Sequence, residues 1–94
     1  MKNFFIYEKD FEGATFLTAR AGTNGFQGGD AGHGGQAVID LINRHGGGFE
    51  FIRYKTDNKI RIIAAGDSEI KLLLEALEWV CGILRNELNF TTPD

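Results

Sequence analysis

Hydrophobic and polar residues alternate along several short stretches of this chain. Residues 49–55 and 59–65 alternate apolar with charged side chains on either side of a short polar turn, which predicts an antiparallel hairpin. Residues 3–8 and 14–20 are rich in aromatic and β-branched types, and residues 9–13 between them carry turn-forming types. A second hairpin is therefore expected at the start of the chain.

The stretch 36–44 fits two periods. Ala37, Ile39 and Leu41 alternate as in a strand, whereas Ala37, Val38, Leu41 and Ile42 would line one face of a helix. Its short length and its β-branched residues favour a strand. The glycines at 46–48 are then expected to form a hairpin turn into the next strand.

A helix is predicted from Asp67 or Ser68, either of which can cap its first turn, to Leu88. The residues expected to pack on the sheet share one helical stripe. They are Ile70, Leu73, Leu74, Leu77, Val80, Cys81, Leu84 and Leu88. Cys81 is accordingly expected to be a buried, inert thiol.

Further apolar residues widen this stripe beyond what one small sheet needs. Leu72, Trp79 and Ile83 extend it on one side. Large apolar groups that stay exposed mark protein interfaces, so these three residues are expected to form an oligomer interface. The alternative is that the N-terminal hairpin covers them within one subunit.

Together these patterns predict an α+β fold, an antiparallel β-sheet of about five strands with one long C-terminal α-helix packed on one face. The 94 residues are expected to form a single domain, 1–94, with the helix at 67–88 and a tail at 89–94. A core of this size is modest, and association with further copies would add to it.

Composition narrows the classes of function. The net charge is −3, and no strong basic cluster is present, which makes nucleic acid an unlikely partner. The single cysteine excludes an intrachain disulfide and a cysteine-based zinc site. No segment has the apolar length of a signal peptide or a membrane span, so no membrane partner and a cytoplasmic location are expected.

The segment Gly22–Gly35 is the strongest functional signal, because seven of its fourteen residues are glycine. Glycines let backbone N–H groups approach a bound ligand closely. Phosphate-loop and dinucleotide-binding patterns are absent, since no Gly-Lys-Ser/Thr and no Gly-x-Gly-x-x-Gly occurs. The residues expected to bind a ligand are Arg20, Thr23, Asn24, Gln27, Gly28, Gly29, Asp30, His33, Gly34 and Gly35.

The sequence favours a non-enzymatic, homo-oligomeric binding protein that holds a small polar, at most nucleotide-like ligand with this loop. Its small size and acidity are in keeping with viral or mobile-element accessory proteins. One alternative is a protein-interaction or inhibitor module that docks a partner through the apolar helix face. A second is a small hydrolase or isomerase that uses Asp30 and His33. No cofactor and no metal site are expected, because too few ligating side chains lie together.

Overall fold

A computed structural model describes residues 5–13, 15–44 and 47–88 as five strands followed by one helix. The elements are β1 (Phe5–Glu12), β2 (Phe16–Thr23), β3 (Ala37–Asn43), β4 (Phe49–Tyr54), β5 (Lys59–Ala64) and α1 (Asp67–Leu88). All strand pairs are antiparallel. The predicted α+β fold is confirmed, as are the strand at 36–44 and the helix at 67–88. The predicted tail at 89–94 lies outside the described residues.

The strands divide between two sheets rather than forming one. The first sheet has the order β1-β2-β3, and the second is the β4–β5 hairpin. The hairpin turn expected at 46–48 is therefore wrong for its described part, Gly47 and Gly48, because β3 and β4 do not pair. Asn43 at the end of β3 instead donates from Nδ2 to the carbonyl oxygen of Phe49, at 3.1 Å. A side-chain bond thus holds β4 beside β3 where backbone pairing is absent.

The opening hairpin is longer than its sequence suggested. β1 continues through the expected turn at 9–13 as far as Glu12. The continuation is stabilised from both faces: the Thr18 hydroxyl donates to Asp10 at 2.8 Å, and Phe11 is buried on the opposite face. Because Asp10 has a partner across the strands and Phe11 has a core to enter, the strand is preferred to a turn.

The helix α1 packs chiefly on β2 and also touches β1 and β5. Leu17, Ala19 and Ala21 of β2 are fully buried under it. The two alanines let the helix come close to the sheet, since they leave little side chain between the backbones. The buried residues of α1 are Glu69, Leu72, Ala76 and Val80.

The buried side of α1 is rotated from the predicted one. Leu72 is only 3% exposed, and Trp79 and Ile83 pack against the core, whereas Ile70, Leu74, Leu77 and Cys81 are exposed. Phe11 explains the difference, because its ring meets Trp79 edge to face with centroids 6.2 Å apart. The extended β1 therefore covers the side of the helix that was expected to stay open.

Glu69 is a buried carboxylate that joins three segments at the start of α1. It accepts a hydrogen bond from the Thr15 hydroxyl just before β2, at 2.9 Å. Gly48 and Gly66 close against its side chain so tightly that a Cβ at either position would overlap it. The three-stranded sheet, the β4–β5 hairpin and the helix are thereby held at one point.

Candidate functional site

The glycine-rich loop between β2 and β3 is closed at its base by a set of short hydrogen bonds. The Asn24 amide N–H donates to the Gln36 carbonyl at 3.2 Å, and the Gln36 N–H donates to Asn24 Oδ1 at 2.8 Å. The Thr23 hydroxyl donates to the same Gln36 carbonyl at 2.8 Å. These bonds join Thr23 and Asn24 at one end of the loop to Gln36 at the other and hold its base closed. This closed base is here named the neck of the loop.

Inside the neck the two arms of the loop touch through their backbones. The position that a Cβ would take at Gly35 overlaps the carbonyl oxygen of Gly25, and at Gly34 it would lie 2.8 Å from the Gly29 nitrogen. No larger residue fits at such a distance without moving backbone. The glycines at 34 and 35 thus let the arms close on each other.

The closed loop forms an open cavity of about 630 Å³. This volume is within the range of small-molecule sites. Its lining includes most of the residues predicted to bind a ligand: Thr23, Gln27, Gly28, Gly29, Asp30, His33 and Gly35. The predicted Asn24 and Gly34 do not line it, because Asn24 holds the neck and Gly34 lies against Gly29.

Polar groups in the loop fall into two sets. Thr23, Asn24 and Gln27 are engaged within the loop, Gln27 by donating from Nε2 to the Asn24 carbonyl at 2.7 Å. Asp30 and His33 are exposed in the cavity, and the one hydrogen bond between them runs from the His33 backbone N–H to the Asp30 carbonyl, at 3.0 Å. Their side chains are therefore open to a ligand but are not arranged as an acid–base pair.

Arg20, predicted to supply the cation for a phosphate, does not reach the cavity. Its Nε donates to Glu8 Oε1 at 2.6 Å on the face of the first sheet opposite α1. That hydrogen bond and the Glu8 charge raise the pKa of the Arg20 guanidinium; desolvation lowers it, and the charge of nearby Asp40 raises it. Arg20 belongs to the charged surface of the sheet.

Seven lining residues were not among the predicted ones, and the two large apolar ones among them are Phe26 and Leu88. Phe26 is 70% exposed although it is aromatic, and Leu88 reaches the cavity from the end of α1. Phe26 could have been predicted from the sequence, because it is an isolated aromatic residue among glycines. Nothing in the sequence links Leu88 to the loop, because that contact depends on the docking of the helix. The hydrogen bond from the Tyr7 hydroxyl to Glu87, at 2.9 Å, supports that docking and raises the pKa of the Tyr7 phenol.

Other classes of site are not assembled in the described residues. They contain no group of three or more His, Cys, Asp or Glu placed to hold a metal. Among them, no helix has both the length and the apolarity to cross a bilayer. His45, the second histidine of the sequence, lies outside the described part.

The chain matches no protein family, no curated protein and no solved structure. Its function must therefore be argued from its own residues.

Proposed function

We propose that this chain is a non-enzymatic, homo-oligomeric binding protein whose loop between β2 and β3 holds a small polar ligand of nucleotide-like chemistry. The observation that carries the proposal is the closed loop itself. Ordering a glycine-rich segment costs conformational entropy, about 0.5–1 kcal/mol more per glycine than for alanine. A folded loop that lines an open cavity of about 630 Å³ is well suited to a ligand.

The chemistry of the lining favours a nucleotide-like ligand over a bare anion. Phe26 offers an exposed ring on which a base can stack, an interaction worth about 1–3 kcal/mol. The Asp30 carboxylate accepts hydrogen bonds from hydroxyl or amino groups and repels a free phosphate. Backbone N–H groups of the glycines would donate to the remaining oxygens of the ligand.

A binding role is favoured over catalysis by the geometry of the two titratable groups. Proton transfer in a reaction needs an acid and a base that act on the same substrate atoms. Asp30 and His33 are joined through backbone atoms alone, and both side chains are exposed. Nucleotides incubated with the protein are expected to be recovered intact. Conversion that disappears in the double variant Asp30→Asn, His33→Ala would show an enzyme instead.

Isothermal calorimetry against a panel of purine and pyrimidine nucleotides tests the proposal. One site per chain is expected, and Phe26→Ala should weaken binding about tenfold because the stacking surface is lost. Phe51→Ala is the matched control, since Phe51 is also exposed but lies on β4 away from the cavity. The nucleotide proposal fails if no nucleotide binds at millimolar concentration, or if both variants weaken binding equally.

A second candidate, a module that docks another protein, is supported by the exposed side of α1. Ile70, Leu74 and Leu77 are large, apolar and exposed there. Under this function Leu74→Asp abolishes partner binding and leaves nucleotide affinity unchanged, and Phe26→Ala does the reverse. Trp79 was expected from the sequence to lie in an interface, but its ring contacts Phe11 within the chain. Its substitution is therefore not used to test partner binding.

A further inference from the structure

One side of α1 carries large apolar side chains that remain open to solvent. Ile70 and Leu74 are each 56% exposed, Leu77 is 41% exposed, and Cys81 is also exposed. These four residues recur three or four positions apart and so form one line along the helix, here named the outer stripe. A continuous line of exposed apolar side chains on one side of a helix is typical of an interaction surface.

The outer stripe lies on the side of α1 away from β1. Trp79 touches Phe11 of β1, so its side of the helix faces β1. At 3.6 residues per turn, the outer stripe lies about 140–180° around the helix from Trp79. The outer stripe is therefore turned away from the contact with β1 and stays open to solvent.

The exposed charges of α1 that lie nearest the outer stripe alternate in sign, while Glu75 lies farther around the helix. They are Asp67, Lys71, Glu78 and Arg85. If a second helix of the same sequence runs antiparallel, with Leu74 opposite the partner's Leu77, then Ile70 meets the partner's Cys81. In that register Asp67 falls near the partner's Arg85, and Lys71 falls near the partner's Glu78. In a parallel two-fold pair the charged edges of the two helices would lie on opposite sides of the contact, and these charge pairs could not form.

We propose that two copies of this chain associate through α1, antiparallel across the outer stripe. The surface is complementary to itself about a two-fold axis, as an isologous interface requires. The outer stripe spans residues 70–81, about 18 Å of the helix, so the charged residues that flank it must also contribute to an interface of ordinary size, ~800 Å² per copy. This inference rests on the homo-oligomeric part of the proposed function and is independent of the ligand.

A second copy fits this surface better than a transient partner because the chain has a small core of its own. Its buried hydrophobic residues number eight, three of them alanine, while twelve large hydrophobic residues are exposed in the described part. Three of the twelve, Ile70, Leu74 and Leu77, lie on the outer stripe, and interfaces of obligate homodimers are more apolar than those of transient complexes. A copy of the same chain is present wherever the chain is made.

Sedimentation equilibrium of the full chain tests the proposal, with far-UV circular dichroism as the check on folding. The wild type is expected at twice its chain mass of 10.4 kDa. Leu74→Asp should be monomeric and folded. Lys71→Glu should raise the dimer dissociation constant at least about tenfold, and adding Glu78→Lys should restore it because the charges are exchanged. Phe26→Asp, at the loop, is the control and should stay dimeric.

Each contrary result overturns the proposal. If the wild type is monomeric at about 100 µM, its dimer dissociation constant is far above that concentration and the proposed dimer does not form. A Leu74→Asp variant that stays dimeric places the interface elsewhere. If Leu74→Asp does not fold, the charge variants decide: a double variant as weak as Lys71→Glu excludes the antiparallel register. Nucleotide affinity is measured on the same variants. A protein that binds nucleotide but does not dimerise contradicts only the proposed dimer, and one that dimerises but binds no nucleotide contradicts only the ligand site.

Discussion

At the scale of single residues, two glycines differ in whether the structure requires glycine at their position. Gly35 lies where the arms of the loop meet, and a Cβ there would overlap the Gly25 carbonyl. Gly82 lies in the middle of α1 with no atom within 4 Å of the position that its Cβ would take. The first glycine is required by packing, whereas the second weakens its helix without a steric need.

Substituting alanine at each position should therefore have opposite effects. Gly35→Ala is expected to open the neck of the loop at a cost of about 1–3 kcal/mol, because backbone must move to admit the methyl group. Gly82→Ala should raise the free energy of unfolding by about 0.5–1 kcal/mol. Hydrogen exchange at the Asn24 and Gln36 amides, which close the neck, reports the first effect, and denaturant unfolding reports the second.

Equal protection of those two amides in wild type and Gly35→Ala would contradict the close contact of the loop arms. The Gly82→Ala variant is the internal control, since it should leave their exchange unchanged while it stabilises the helix.

At the scale of elements, the patterns predicted strands and helix well but not how they pack. The β4–β5 hairpin differs from its predicted ends by one residue on each strand, and α1 has the predicted ends. Period-2 alternation and a capped apolar helix are local signals, which explains this success. The face that α1 buries depends on Phe11, a residue distant in sequence. The apolar stripe of α1 is wider than the sheet can cover, so the sequence alone allowed two orientations of the helix.

The rotated helix gives Trp79 a role within the chain. Trp79→Ala should lower the free energy of unfolding by about 3 kcal/mol, because the contact with Phe11 and the packing around it are lost. Leu77→Ala, an apolar truncation on the exposed side of the same helix, is the comparison. Urea unfolding of both variants is measured on the Leu74→Asp background, which is expected to be monomeric, so that association should not contribute to the difference.

A cost for Trp79→Ala no larger than that for Leu77→Ala would mean that Trp79 is not part of the core. The buried side of α1 would then have to be the one first expected from its sequence.

At the scale of the whole molecule, the site combines parts that the sequence signals unequally. The glycine content of 22–35 located the loop, and Asp30 and His33 do line the cavity. The closure through Thr23, Asn24 and Gln36 could not be read from the sequence, because it requires β2 and β3 to be adjacent in one sheet. Arg20 was misplaced for a related reason, since the alternation of β2 directs it to Glu8 across the sheet.

The division into two sheets has the same origin. The glycines before Phe49 suggested a turn between paired strands, but nothing local specifies whether β4 pairs with β3 or leaves it. The bond from Asn43 to Phe49, and the buried Glu69 beneath the link, hold the hairpin beside the first sheet without backbone pairing between β3 and β4. Contacts between residues distant in sequence therefore decided both the shape of the molecule and the position of its exposed apolar surface.

The most direct test of a ligand site in the loop is a titration of the ¹⁵N-labelled protein with nucleotides, followed by amide chemical shifts. Saturable shifts are expected at the amides of 25–36, where glycine resonances are well separated, with little change along β4 and β5. No saturable shift in the loop at millimolar nucleotide, or shifts confined to another surface, would contradict the account.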